Sequence, residues 1–167
     1  MYCSDPLEPG QTDQAFAREA LAAEQLGLAY ELIDFEALVL EHDCKRAVRR
    51  VQSRQEAEVI YRGWMLKPHV YAELYEALAA KKVRLVNDPT AYRHCHYLPE
   101  SYAAIAGHTP RSVWLKLGAE LKMDEIMDLL RPLGSAPLIV KDFVKSRKHE
   151  WNEACYIPSA ADRTAVE

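Results

Sequence analysis

The sequence has no apolar run long enough to span a membrane: Ala136–Val140 and Val83–Val86, its longest, fall far short of the ~20 residues a spanning helix needs. No basic start leads into an apolar signal core, so the reading is a soluble, cytoplasmic protein. Paired CxxC spacing is missing as well. Cys3, Cys44, Cys95 and Cys155 are scattered, and a chain of this size does not need disulfides to fold, so reduced thiols are expected. An excess of positive charge is also absent. With a net charge of −4 and a pI near 5.9, the chain does not hold nucleic acid through its overall field, and any anion site must be a local concentration of basic groups. There is no internal repeat and no low-complexity segment.

What is present is enough apolar mass for a core in one large or two small domains. Met1–Pro6 reads as a strand end with a loop. Phe16, Ala20, Ala23 and Leu26 fall at helical spacing over Asp13–Leu26, with Thr12 or Asp13 as the expected cap and Gly27 as the close. Leu28–Phe35 and Glu58–Arg62 read as strands, and Cys44, Val48 and Val51 line a short helix between them. Pro68 suits a first helical turn, and Tyr71, Leu74 and Leu78 form an apolar stripe that ends before the strand Val83–Asn87. Strands alternating with helices over residues 1–88 predict a small α/β unit with a parallel sheet. Asp88-Pro89 is the expected boundary. Beyond it come a polar, aromatic stretch, Tyr92–Tyr102, a strand at Thr109–Leu115, a helix at Asp124–Leu130, and an antiparallel hairpin of Pro137–Val144 with Glu153–Ile157.

The chemistry concentrates in that hairpin. In a strand, Ile139, Lys141 and Phe143 share one face, so Lys141 interrupts a surface expected to be buried, and its ammonium needs an anionic partner. Lys145, Arg147 and Lys148 crowd the turn beside His149. A fixed lysine in a sheet with basic groups on a closing hairpin suits a triphosphate. A solvated, ligand-free tip accounts for the same charges.

Arg62-Gly-Trp-Met-Leu, the run from Asn87-Asp-Pro-Thr-Ala-Tyr-Arg through Tyr102, Thr109-Pro-Arg-Ser-Val-Trp-Leu115 and Pro137–Pro158 together resemble the ATP-grasp superfamily. Within it the sequence is most similar to the clade named for two arginines and a lysine, found in bacterial and phage proteins, and the resemblance covers nearly the whole chain. It implies a pre-ATP-grasp α/β domain over residues 1–88, followed over 89–167 by the first of two α+β subdomains that hold ATP between them. It further implies a carboxylate–amine ligase: ATP phosphorylates a carboxylate to an acyl phosphate, and an amine then displaces phosphate. Arg93 best matches the first basic residue and Lys141 the lysine of a "Pro-x-x-x-Lys" strand. Both would contact ATP phosphates, with Lys141 also approaching the adenine side, while Lys145, Arg147 and Lys148 close over the nucleotide.

Two departures accompany the resemblance. Many ATP-grasp hairpin loops carry glycines whose amides cradle phosphate, whereas Lys145–Trp151 has none, so side-chain cations must replace amides. Family members also continue into a second subdomain with the Glu/Asn magnesium set. Nothing after Ala161 supplies it, and the expectation is a portion contributing half of the ATP site, inactive by itself.

Other residues carry weaker signals. His94-Cys95-His96 has metal-ligand types but unsuitable spacing. Arg62, in a loop after a strand, is a speculative contact for a substrate carboxylate, and Trp64 beside it a wall; Ser4-Asp5-Pro6 lies at a similar strand end. Trp114, Trp151, Tyr92, Tyr97 and Tyr102 could stack bases, giving a nucleic-acid-binding hairpin as the least favoured reading. A non-catalytic ATP-grasp remnant or interaction module is the main alternative, and an apolar face left open for a second subdomain could support a homodimer.

Overall fold

A computed structural model describes residues 1–116, 122–143, 151 and 155–167. The chain divides into two units, Met1–Arg93 and His94–Glu167, with the division inside a helix just past Asp88-Pro89. The fold is mixed α and β, with both parallel and antiparallel strand pairs. Among the described residues no helix is long and apolar enough to cross a membrane.

In the first unit, β1 (Tyr2–Cys3) pairs in parallel with β2 (Leu32–Ile33), and β3 (Ala57–Val59) pairs in parallel with β4 (Val83–Leu85). Parallel neighbours require crossover connections. These are α1 (Ala17–Gln25), the short helices α2 (Phe35–Val39) and α3 (Cys44–Ala47), and α4 (Pro68–Ala79). Two further bonds bracket Met1: its nitrogen donates to Ile60 O at 2.9 Å, and Arg62 N–H donates to Met1 O at 2.8 Å. That is the parallel pattern, so the chain just past β3 runs alongside the start of β1, while the two ladders remain separate two-stranded sheets.

Helix ends follow local chemistry. Gly27 at φ 69° closes α1 in a Schellman arrangement, with Leu28 N–H donating to Ala23 O and Gly27 N–H to Glu24 O. Asp34 and Asp43 cap α2 and α3 by accepting from Ala37 N–H and Arg46 N–H. Pro68 opens α4, where its missing N–H costs nothing. The face of α4 carrying Val70, Tyr71, Leu74 and Leu78 is buried against Cys3, Ile33, Leu38, Val48, Val51 and Leu85. Each such buried side chain contributes about 1.5–3 kcal/mol relative to exposure.

The second unit contains the end of α5 (Pro89–His96), then α6 (Leu98–Ile105), α7 (Met123–Leu130), the antiparallel pair β5 (Leu138–Ile139) with β6 (Tyr156–Ile157), and α8 (Arg163–Val166). Tyr102 accepts from Ser112 N–H at 3.1 Å and meets Trp114 edge to face at 5.3 Å. Arg163 ties α8 to Asp124 at 2.6 Å.

The alternating strands and helices, the α4 stripe, the α7 helix and the antiparallel hairpin agree with the sequence reading. Four expectations do not hold. Residues 109–115 form no strand; Arg111 instead donates to Pro132 O, and Ser112 N–H goes to Tyr102. Residues 28–35 form a strand only at Leu32–Ile33, because Asp34 caps a helix beginning at Phe35. The cap of α1 is Phe16, while Asp13 accepts from Ala15 N–H one turn earlier. The strand face of Lys141 is open, with Ile139 55% and Phe143 39% exposed, since a two-stranded hairpin leaves a face uncovered.

Candidate functional site

A crevice of about 280 Å³ opens over the carboxyl ends of β1 and β2. Parallel sheets bind ligands at the carboxyl ends of their strands. Ser4, Asp5 and Pro6 leave β1 into it, Asp34 and Glu36 leave β2, Arg46 and Arg49 come from α3 and its end, and Trp64 enters from the loop after β3.

Most of these polar groups are already engaged. Asp5 Oδ1 accepts from Leu7 N–H at 2.8 Å and Glu8 N–H at 3.0 Å, shaping the loop after β1. Asp13 accepts from Ala15 N–H and, through Oδ2, from the Trp64 indole at 2.9 Å. Trp64 therefore stands as a fixed wall, with Phe16 edge-on at 5.2 Å behind it. Asp34 caps α2 and faces Arg46 at 3.7 Å, and Arg46 also pairs with Glu41. Among the described residues, the side chains of Glu36 and Arg49 have no ion-pair or hydrogen-bond partner.

Beneath the Trp64 loop, burial drives the Tyr61 hydroxyl far above its ordinary pKa and raises that of the Cys3 thiol. Both groups stay neutral. A Cβ on Gly63 would lie 2.5 Å from Tyr61 Oη and 2.6 Å from Cys3 Sγ, so only glycine fits there without displacement.

The sequence-derived site residues fall in several places. Arg62 lies beside the crevice but gives its guanidinium to Glu19, Nε to Oε1 at 2.6 Å and Nη2 to Oε2 at 2.9 Å. Its carboxylate partner is thus within the chain, and that guanidinium holds the Glu19 carboxyl below the usual range. Arg93 is exposed on α5, the last residue of the first unit. Lys141, in the second unit, is exposed one residue past Val140, whose N–H donates to Cys155 O at 2.7 Å. Lys145, Arg147 and Lys148 lie outside the described residues.

His94, Cys95 and His96 follow one another on α5, where successive side chains point about 100° apart, as 3.6 residues per turn dictates. Burial lowers the pKa of His96. Among the described residues no group of three or more His, Cys, Asp or Glu could hold a metal ion.

Ser4-Asp5-Pro6 and Trp64, two separate weak signals in the sequence, converge on one crevice. Asp34, Glu36, Arg46 and Arg49 were not singled out by spacing. Asp34 had one detectable signal, an acidic residue closing an apolar strand and opening a helix. Comparison with protein-family models, with curated proteins and with solved structures finds no match to this chain.

Proposed function

We propose that this chain is the ATP-gripping portion of a carboxylate–amine ligase of the ATP-grasp type. The observation that carries the reading is the antiparallel pairing of β5 with β6, which continues through Val140 and brings Lys141 out at the end of a hydrogen-bonded ladder. A lysine there offers a point charge on a flexible stem rising from a hydrogen-bonded backbone, a common form of phosphate contact. The motif resemblance and the order of the units, a parallel α/β unit before a unit with an antiparallel hairpin, support the same reading.

In this reading Lys141 binds phosphate oxygens, Arg93 is a second candidate contact by resemblance alone, and Lys145, Arg147 and Lys148 contribute further positive charge from the same basic segment. The carboxylate oxygen of the substrate attacks the γ-phosphorus, ADP leaves, and an amine displaces phosphate from the acyl phosphate to form the amide. Magnesium prefers octahedral oxygen ligands, usually one or two carboxylates with phosphates and water. Next to Lys141 the described residues offer one carboxylate, Asp142, and no group of three or more carboxylate, imidazole or thiol donors that could hold the ion without phosphate.

Calorimetric titration of ATP, with and without magnesium, into the wild-type chain and Lys141→Ala tests the proposal. Binding weakened about tenfold or more by the substitution, the loss of a charge-assisted contact, is expected. Absence of binding, or binding indifferent to Lys141, overturns it.

A further inference from the structure

The crevice over β1 and β2 has a lining unlike that of a phosphate site. Asp5, Asp13, Asp34 and Glu36 face it against Arg46 and Arg49, so carboxylates outnumber guanidiniums four to two. Such an excess repels a polyanion. Subtracting the internal pairs leaves a specific remainder. Asp5 is engaged by the Leu7 and Glu8 N–H groups, Asp13 by Ala15 and Trp64, and Asp34 by its helix cap and Arg46; Arg46 is further held by Glu41. One acidic and one basic side chain stay uncommitted in the same crevice, Glu36 and Arg49. Ser4, only 8% exposed, also lines it.

We propose that this crevice binds a small zwitterion of the α-amino-acid class, its carboxylate on Arg49 and its ammonium on Glu36, with its side chain against Trp64. Glu36 and Arg49 do not pair with each other, so a ligand carrying both charges can satisfy both at once, whereas a simple amine or acid satisfies one and leaves the other. The volume of about 280 Å³ lies just below the roughly 300–1,000 Å³ of drug-sized ligand pockets and suits a molecule the size of an amino acid. The wall is preorganised: Asp13 fixes the Trp64 indole, and Asp5 fixes the loop carrying Pro6. All of these residues lie in the first unit, and the inference does not rest on the nucleotide reading of the hairpin.

The test is a titration of the full chain with glycine, L-alanine, L-glutamate and L-lysine, followed by NMR at the Trp64 indole N–H and the Ser4 and Glu36 amides. Ethylamine and propionate serve as single-charge controls. Saturable shifts with at least one of the four amino acids are expected, with ethylamine and propionate about tenfold weaker or worse. Arg49→Ala and Glu36→Gln, both at exposed and unpartnered positions, should each weaken binding about tenfold while leaving the rest of the spectrum unchanged. Three results overturn the proposal: no saturable shift with any of the four, shifts insensitive to both substitutions, or propionate or ethylamine binding as well as the amino acids. ATP titrated into the same samples is read separately at Lys141 and Tyr156, so failure here is distinct from failure of the nucleotide reading.

Discussion

The indole N–H of Trp64 donates to Asp13 Oδ2 at 2.9 Å, fastening the loop after β3 to the segment between β1 and α1. Both residues line the crevice, so the bond sets both a wall of the site and a contact between two strand ends. Trp64→Phe keeps an aromatic ring against Phe16 but removes the donor. Trp64 is 45% exposed, so the loss should be small, about 0.5–1.5 kcal/mol by urea denaturation. Trp64→Ala should cost more, because the edge contact with Phe16 goes too.

Tyr92 makes a tighter fastening within the first unit. Its hydroxyl accepts from Leu66 N–H and donates to Leu66 O, each at 3.0 Å, while its ring stacks on Tyr71 with centroids 3.7 Å apart. Leu66 is buried, so Tyr92→Phe strands a backbone donor and acceptor and should destabilise by about 1–3 kcal/mol in chemical denaturation. An unchanged midpoint would mean that water reaches both groups.

Arg62 and Glu19 form a bidentate pair at the surface, with side chains 54% and 41% exposed. A double-mutant cycle should give a coupling of about 0.2–1 kcal/mol, decreasing with added salt. The sign of its pH dependence follows from Glu19, whose folded pKa lies below the unfolded value chiefly because Arg62 hydrogen-bonds the carboxylate. The coupling is therefore fully present above the ordinary carboxylate range and is lost as pH falls through the lowered folded value. Coupling that grows on acidification would contradict this assignment.

Gly63 is confined by its neighbours, not by its backbone angles. Gly63→Ala brings a methyl carbon within 2.6 Å of Cys3 Sγ and 2.5 Å of Tyr61 Oη, both in or against the core. The expected cost is about 1–3 kcal/mol, visible as a lower thermal midpoint. Gly10→Ala, where a Cβ meets nothing within 4 Å, serves as the control.

The first unit was legible where a periodic pattern met a specific end signal. The stripe Tyr71, Leu74, Leu78 begins at Pro68, and α1 ends at Gly27, so pattern and punctuation agreed. Helices α5 and α6 were not legible: each spans only eight residues and neither has a fully buried residue. Their signals were local: Asp88 accepting from Ala91 N–H, and prolines in the first turns. Residues 109–115 carry strand-forming types, yet their polar groups go to Tyr102 and Pro132, so tertiary contacts overrode propensity. The crevice was legible only in fragments, since its residues come from positions 4–13, 34–36, 46–49 and 64, and only the parallel topology brings them to one edge. Lys141 was placed on the right hairpin but on a more open face, because burial depends on a covering layer that strand alternation does not encode.

The proposed grip of Lys141 on the phosphates of ATP separates nucleotides by their phosphate number. The most direct measurement is a paired titration of ATP and AMP against the wild-type chain, Lys141→Ala and Lys141→Arg. ATP is expected to bind more tightly than AMP, with most of that preference abolished in Lys141→Ala and part of it retained in Lys141→Arg. Equal binding of ATP and AMP, or an ATP preference unaltered in Lys141→Ala, would contradict it.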